Sequence, residues 1–193
     1  MKKLLFFTAI VLFGFTYVSA QEIDFGAKAG VNFATITGDD LDSFSSRTAF
    51  HLGFVAEIGI TEKFSFQPEL LYSAQGADYS EDGFEGSVKV DYLNLPLMAK
   101  FYVAEGFSLE AGPQVGFLLS AKDVYDGGED DWSDITKGID FGLNFGVGYK
   151  LESGLNFGAR YNLGLSDVNN DPEYLGDSAF KNSVIQAYLG FFF

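Results

Sequence analysis

Ile23 to Ile36 reads IDFGAKAGVNFATI. The odd positions Ile23, Phe25, Ala27, Ala29, Val31 and Phe33 are apolar. The even positions Asp24, Gly26, Lys28, Gly30 and Asn32 are polar or glycine. A period of two marks a strand whose two faces meet different surroundings. The same period returns at roughly 49–60, 64–76, 90–102, 107–121, 139–150, 155–166 and 182–193, and no segment competes as an amphipathic helix. The reading is therefore all-β, with eight strands, each long enough to cross a bilayer at a tilt, which takes about 9–11 residues.

The connections alternate in length. Thr61-Glu62-Lys63, Val103 to Gly106 and Leu151 to Gly154 are short, whereas roughly 37–48, 77–89, 122–138 and 167–181 are long. Short turns at one end and long loops at the other describe an eight-stranded antiparallel up-and-down transmembrane β-barrel. The alternation leaves open which face points inward, and a soluble cup with an apolar interior has the same period. Glycine decides it. Gly26, Gly30, Gly53, Gly112, Gly116, Gly142, Gly146, Gly148, Gly158 and Gly190 share the polar face, and small residues belong on the concave side of a narrow barrel. The opposite face carries Phe25, Phe50, Phe54, Phe66, Phe117, Phe145 and Phe191, more ring volume than an eight-stranded lumen holds. That face is expected to meet lipid. Phe64, Phe101, Phe107, Tyr149, Phe157 and Phe193, beside the short turns, are placed for an interfacial aromatic girdle.

Met1 to Ala20 reads as a secretory signal peptide. Lys2 and Lys3 precede an apolar run from Leu4 to Phe15, and Val18-Ser19-Ala20 offers a cleavage point before Gln21. The expected domain is 21–193. Export places both termini and the short turns in the periplasm and the long loops outside. The final strand, with Ile185, Ala187, Leu189, Phe191 and Phe193 on one face, resembles the C-terminal signal by which barrel assembly machinery recognises its clients.

Composition removes several functions. Twelve basic against 27 acidic residues give a net charge of −15, unsuited to phosphate-rich nucleic acid. There is no cysteine and a single histidine, which excludes disulfides, thiolate chemistry and multi-histidine metal sites. No cofactor is expected. The inward polar positions include Lys28, His51, Glu57, Glu69, Lys100, Glu110, Asn144, Arg160, Asn162 and Gln186. Charges in a narrow lumen must be paired, so Glu57, Glu69 and Glu110 are expected to form a structural network with Lys28, Lys100 and Arg160.

His51 raises a catalytic alternative, a lipid-modifying envelope enzyme using Ser73 and Glu57. Such a site needs all three groups in hydrogen-bond reach, and a lipid substrate would arrive on the other face. No catalytic residue is assigned. A small-solute pore is the other alternative. The loops are acidic, most densely at Asp123, Asp126, Glu129, Asp130, Asp131 and Asp134. These acids could bind divalent cations, or be bridged by cations to lipopolysaccharide phosphates, although their spacing is not that of an EF-hand. Phe44, Tyr79, Phe84, Tyr125, Trp132, Tyr174 and Phe180 also lie in the loops and could mark a partner or glycan surface. Pro68, Pro96 and Pro113 fall inside strands, where each removes a ladder donor, and local bulges are expected there.

Four segments carry a family resemblance. They are Phe66-Gln67-Pro68-Glu69-Leu70-Leu71-Tyr72-Ser73, Tyr92-Leu93-Asn94-Leu95-Pro96-Leu97, Ala111-Gly112-Pro113-Gln114-Val115-Gly116 and Ala159-Arg160-Tyr161-Asn162-Leu163-Gly164-Leu165. In this order they resemble the PorT-like outer-membrane β-barrel proteins of the Bacteroidetes, over nearly the whole of 21–193. Asn94 stands where that family often has an acid. The resemblance implies the barrel fold, an outer-membrane location and strand prolines as a family habit. It brings no catalytic residues, and the secretion role of the name-giving member is not carried over. The expected protein is a monomer in contact with outer-membrane lipid and lipopolysaccharide, with a structural, adhesive or envelope-accessory role.

Overall fold

In a computed structural model the described residues are 22–38, 44–81, 84–171 and 179–193. The signal-peptide reading of 1–20 and its cleavage point lie outside them, as does Tyr174. The strands are β1 (Ile23–Thr37), β2 (Phe44–Thr61), β3 (Phe64–Glu81), β4 (Phe84–Tyr102), β5 (Phe107–Tyr125), β6 (Gly128–Asp131), β7 (Ile139–Lys150), β8 (Leu155–Gly164) and β9 (Lys181–Phe192). Eight of them form one antiparallel ring. β1 pairs with β2, β2 with β3, β3 with β4 and β4 with β5; β5 then pairs with β7, β7 with β8, β8 with β9, and β9 closes on β1. The short β6 hangs from the loop end of β5. This is the eight-stranded up-and-down barrel that the period of two predicts.

The faces fall by parity. Lys28, Asn32, His51, Glu69, Asn144, Arg160 and Gln186 are buried in the lumen, whereas Phe25, Phe50, Phe54, Phe145 and Phe191 lie exposed on the outside, Phe54 at 68%. An aromatic group rings the short-turn end. Phe64 pairs with Phe101 and Phe107 with Tyr149 across their seams, and Tyr149 stacks on Phe157 at 5.7 Å. Gly106 and Gly154 supply positive φ in two of the short turns, 73° and 88°. Both described chain ends share this end: Lys150 binds Asp24 at 2.5 Å, and the Phe192 amide donates to the Gly154 carbonyl at 2.9 Å.

Two expectations are corrected. First, no bulge sits at a proline. The register shifts lie between Ser46 and His51, Gly59 and Thr61, and Asp91 and Tyr92. Instead, pairing lapses at two consecutive positions per proline with the register unchanged. The lapses are Ala56–Glu57 against Gln67–Pro68, Glu69–Leu70 against Leu95–Pro96, and Leu97–Met98 against Gly112–Pro113. In antiparallel geometry each such couple shares one bond, from the proline nitrogen to the carbonyl of Ala56, Glu69 or Leu97. Proline cannot donate it. One missing donor therefore deletes two pairings without an inserted residue.

Second, β2 to β5 run further than expected at the loop end. The predicted loop 77–89 is mostly paired strand, with Ala77 opposite Val88 and Tyr79 opposite Gly86, and the predicted loop 122–138 contains β6. Above the lipid the outer face meets water, so the apolar alternation fades while the ladder continues. The inner face there stays apolar: Val88, Val90, Tyr92 and Ala121 form a buried cluster with Ile36, Phe44, Tyr79 and Trp132 against it.

Candidate functional site

The lumen is the site, and it is layered. At the short-turn end β1, β2, β3, β4, β5 and β8 each contribute one charged residue. Arg160 is the hub: its guanidinium reaches both oxygens of Glu69, at 3.0 and 2.9 Å, and one oxygen of Glu110 at 3.0 Å. Lys28 adds a bond to Glu69 at 2.9 Å. Lys100 bridges Glu57 at 3.2 Å and Glu110 at 3.7 Å. The six residues expected in the lumen thus lie in one connected cluster, three cations against three carboxylates, with side chains at most 6% exposed.

Further partners join this cluster. The Tyr188 hydroxyl donates to Glu110 at 3.0 Å, and its ring lies under the Lys28 ammonium at 4.2 Å. Gln67 bonds Glu69 at 2.7 Å and Lys100 at 3.1 Å. Tyr102 and Ser65 donate to Glu57. Lys150 extends the chain of charges from Glu57, at 3.6 Å, to Asp24. Lys150 and Asp24 share the even, inward parity of their strands, a signal available from the pattern. The tyrosines share that parity, Tyr188 with Gln186 and Gly190 and Tyr102 with Lys100, but the rule that places rings on the lipid face argues the other way.

The middle layer is neutral. His51 Nδ1 lies 2.7 Å from Asn32 Oδ1. That oxygen also accepts from Gln186 at 3.0 Å, while Asn32 Nδ2 donates to Ser73 at 3.0 Å. An amide oxygen only accepts, so His51 carries its proton on Nδ1, and Nε2 is buried without a partner. Asn32 stands between His51 and Ser73, and Glu57 is committed to Lys100, Ser65 and Tyr102 in the ionic layer. The three residues of the catalytic alternative do not assemble. Asn162 to Asn144, at 3.1 Å, and Asn144 to Gln114, at 3.2 Å, complete the layer.

The loop acids do not converge. Asp123 accepts from Tyr79 at 2.9 Å, Glu129 holds Lys122 at 2.7 Å, Asp130 accepts from Tyr125 at 3.1 Å, and Asp131 from the Ser133 amide at 2.9 Å. Among the described residues no three acidic or histidine side chains are grouped to hold a metal ion. The loop aromatics divide. Phe84 is 78% exposed, whereas Phe44 and Trp132 turn inward onto the apolar cluster. In the β8–β9 loop burial opposes ionisation of Asp167, but the amides of Asn169 and Phe180 and the Lys137 ammonium hold its carboxyl below the ordinary value. This carboxylate ties two loops together over the barrel mouth.

A closed ring with rings and aliphatic chains outside and a charged lumen is an outer-membrane architecture. Residues 19–170 match the family described as outer membrane protein beta-barrel domain. The chain belongs to that family. Members of this family sit in the outer membrane, and the protein has its general role there. Among solved structures, Neisserial surface protein A is similar with a TM-score of 0.53 and 16% identity, over 88% of this chain and 97% of that one. Ail, the attachment invasion locus protein of Yersinia pestis, scores 0.48 at 14% identity over 88% and 99%. OprG of Pseudomonas aeruginosa scores 0.45 at 18% identity over 90% and 95%. No curated protein sequence matches the chain.

Proposed function

We propose that the protein is a closed, monomeric barrel that serves the envelope as a structural or adhesive element, or as accessory to an envelope complex. The carrying observation is the Arg160–Glu69–Lys28 and Arg160–Glu110–Lys100–Glu57 network, which joins six of the eight ring strands across the lumen at the short-turn end. A narrow barrel so filled leaves no wide path for solutes. The reading is non-catalytic, since His51 binds Asn32 rather than a nucleophile and an acid. In this reading the termini face the periplasm, and the acidic loops face outward toward lipopolysaccharide or an envelope partner. The ordered motifs from Phe66 to Leu165 favour a PorT-like relative among the Bacteroidetes barrels. Conductance in planar bilayers tests the closed lumen. Purified protein is expected to give no steady channels; a reproducible ohmic conductance would overturn the reading in favour of a small-solute pore.

A further inference from the structure

The lumen changes character above the neutral layer. At the loop end it contains an apolar cavity of about 160 Å³, whose lining includes Ile36, Phe44, Val88, Val90, Trp132 and Phe180. At its edge Asn182 is held by bonds it donates to Asp140 at 2.9 Å and to the Tyr92 hydroxyl at 3.3 Å. Its roof comes from two loops, Trp132 and Thr136 before β7 and Val168 after β8. The walls thus belong to several elements around one half-open space, too small for a folded partner. An apolar cavity of about 150 Å³ stays dry and takes up benzene or xenon, so this one has room for a single ring or a branched alkyl group. Charge narrows the class further. The residues beside the lining in sequence include Asp131, Asp134, Asp167 and Asp171 against Lys89, Lys137 and Lys181, and Lys137 and Asp167 pair with each other at 3.0 Å. Acids outnumber bases around this mouth, which disfavours an anionic ligand relative to a neutral one.

We propose that this cavity binds a small, neutral, apolar molecule of about the size of one aromatic ring. The inference stands apart from the envelope role, since it concerns the loop-end mouth and not the ion network. Trp132 is the single tryptophan of the chain, so its fluorescence reads the cavity directly. Iodobenzene, a heavy-atom quencher, would be titrated into the full chain in lipid nanodiscs. The expected result is saturable quenching, displaced by benzene and not by benzoate. Filling the space with Val90→Phe in the wall, or with Val168→Phe in the roof, should weaken apparent binding at least about tenfold, a loss of about 1.4 kcal/mol. A gel-mobility difference between heated and unheated samples confirms that each variant remains folded, and Val168→Phe leaves the barrel wall intact. Linear quenching of equal slope in wild type and both variants would mean partition into lipid only, and overturns the site. Saturation that survives both fillings, or displacement by benzoate as effective as by benzene, also overturns it.

Discussion

Arg160 shows why single residues matter in this lumen. Its guanidinium is the group shared by Glu69 and Glu110, and all three side chains are fully shielded from solvent. Removing one member of a buried ionic cluster leaves a charge without its partner, which typically costs about 3–5 kcal/mol. Arg160→Ala is therefore expected to lower the unfolding free energy by about that amount, as read from urea titration in detergent or lipid. Arg160→Ala combined with Glu69→Ala should cost less than the sum of the two single changes, because the residues share one interaction. An unchanged midpoint for Arg160→Ala would remove the structural role from the network. The glycines follow the same logic from the other side. A Cβ at Gly148 would meet Glu110 Oε1 at 2.5 Å and the Tyr188 hydroxyl at 2.9 Å, so glycine on the concave face leaves space for the charged side chains beside it. This is why glycine position identifies the inner face from sequence, and why parity then names the six network residues. What parity could not supply was the partner list. Tyr188 and Tyr102 point inward against the general rule for rings, and residues such as Asn32 and His51 meet through a register set by pairing, not by spacing along one strand.

At the scale of elements, the prolines define the weak line of the wall. Pro68, Pro96 and Pro113 lie on three adjacent strands, with Pro68 opposite Leu97 and Pro96 opposite Gln114. Each deletes one donor from a different seam, so the three lapses step across β2 to β5. The expectation of bulges failed because a bulge adds a residue to one strand, whereas a proline subtracts a bond from an unchanged register. Pro113 is the position to test, since it faces outward and its replacement disturbs no lumen contact. Pro113→Val is expected to restore the amide bond to the Leu97 carbonyl and to raise stability by about 0.5–1.5 kcal/mol, the usual net worth of one such bond. Hydrogen exchange should then show a newly protected amide at position 113. A destabilised protein, or an amide at 113 that exchanges freely, would mean that the seam has relaxed away from hydrogen-bonding distance. The strand extensions carry a related lesson. Strand ends were legible where lipid enforces alternation, at Thr61, Phe64, Tyr102, Phe107, Lys150 and Leu155. They were not legible at the loop end, where β3 and β4 continue through Asp78, Ser80, Glu85 and Ser87 with water outside.

The whole molecule is a ring whose last strand closes on its first, with Leu189 opposite Ala29 and Phe191 opposite Ala27. The fold was almost entirely readable because an up-and-down barrel has one topology for a given number of strands, and alternation counts the strands. Biological role was not readable in the same way. The barrel wall answers to lipid, and the lumen answers to its own charge balance, so neither pattern encodes a partner. Phe193 offers a way to separate folding from assembly. Phe193 is 79% exposed, and its amide donates to the Phe25 carbonyl at 2.9 Å. Phe193→Ala keeps that backbone bond and removes a ring with little buried surface, so the purified barrel should unfold with a midpoint close to that of the wild type. If the C-terminal aromatic strand is the feature that assembly machinery reads, the same change should lower the amount of heat-modifiable barrel recovered from the membranes of cells. Comparing the two measurements isolates recognition from stability. Equal recovery of wild type and variant from cells would show that assembly does not read this ring. A fall in both recovery and unfolding midpoint would assign the ring to barrel closure, where the β1 and β9 ends meet.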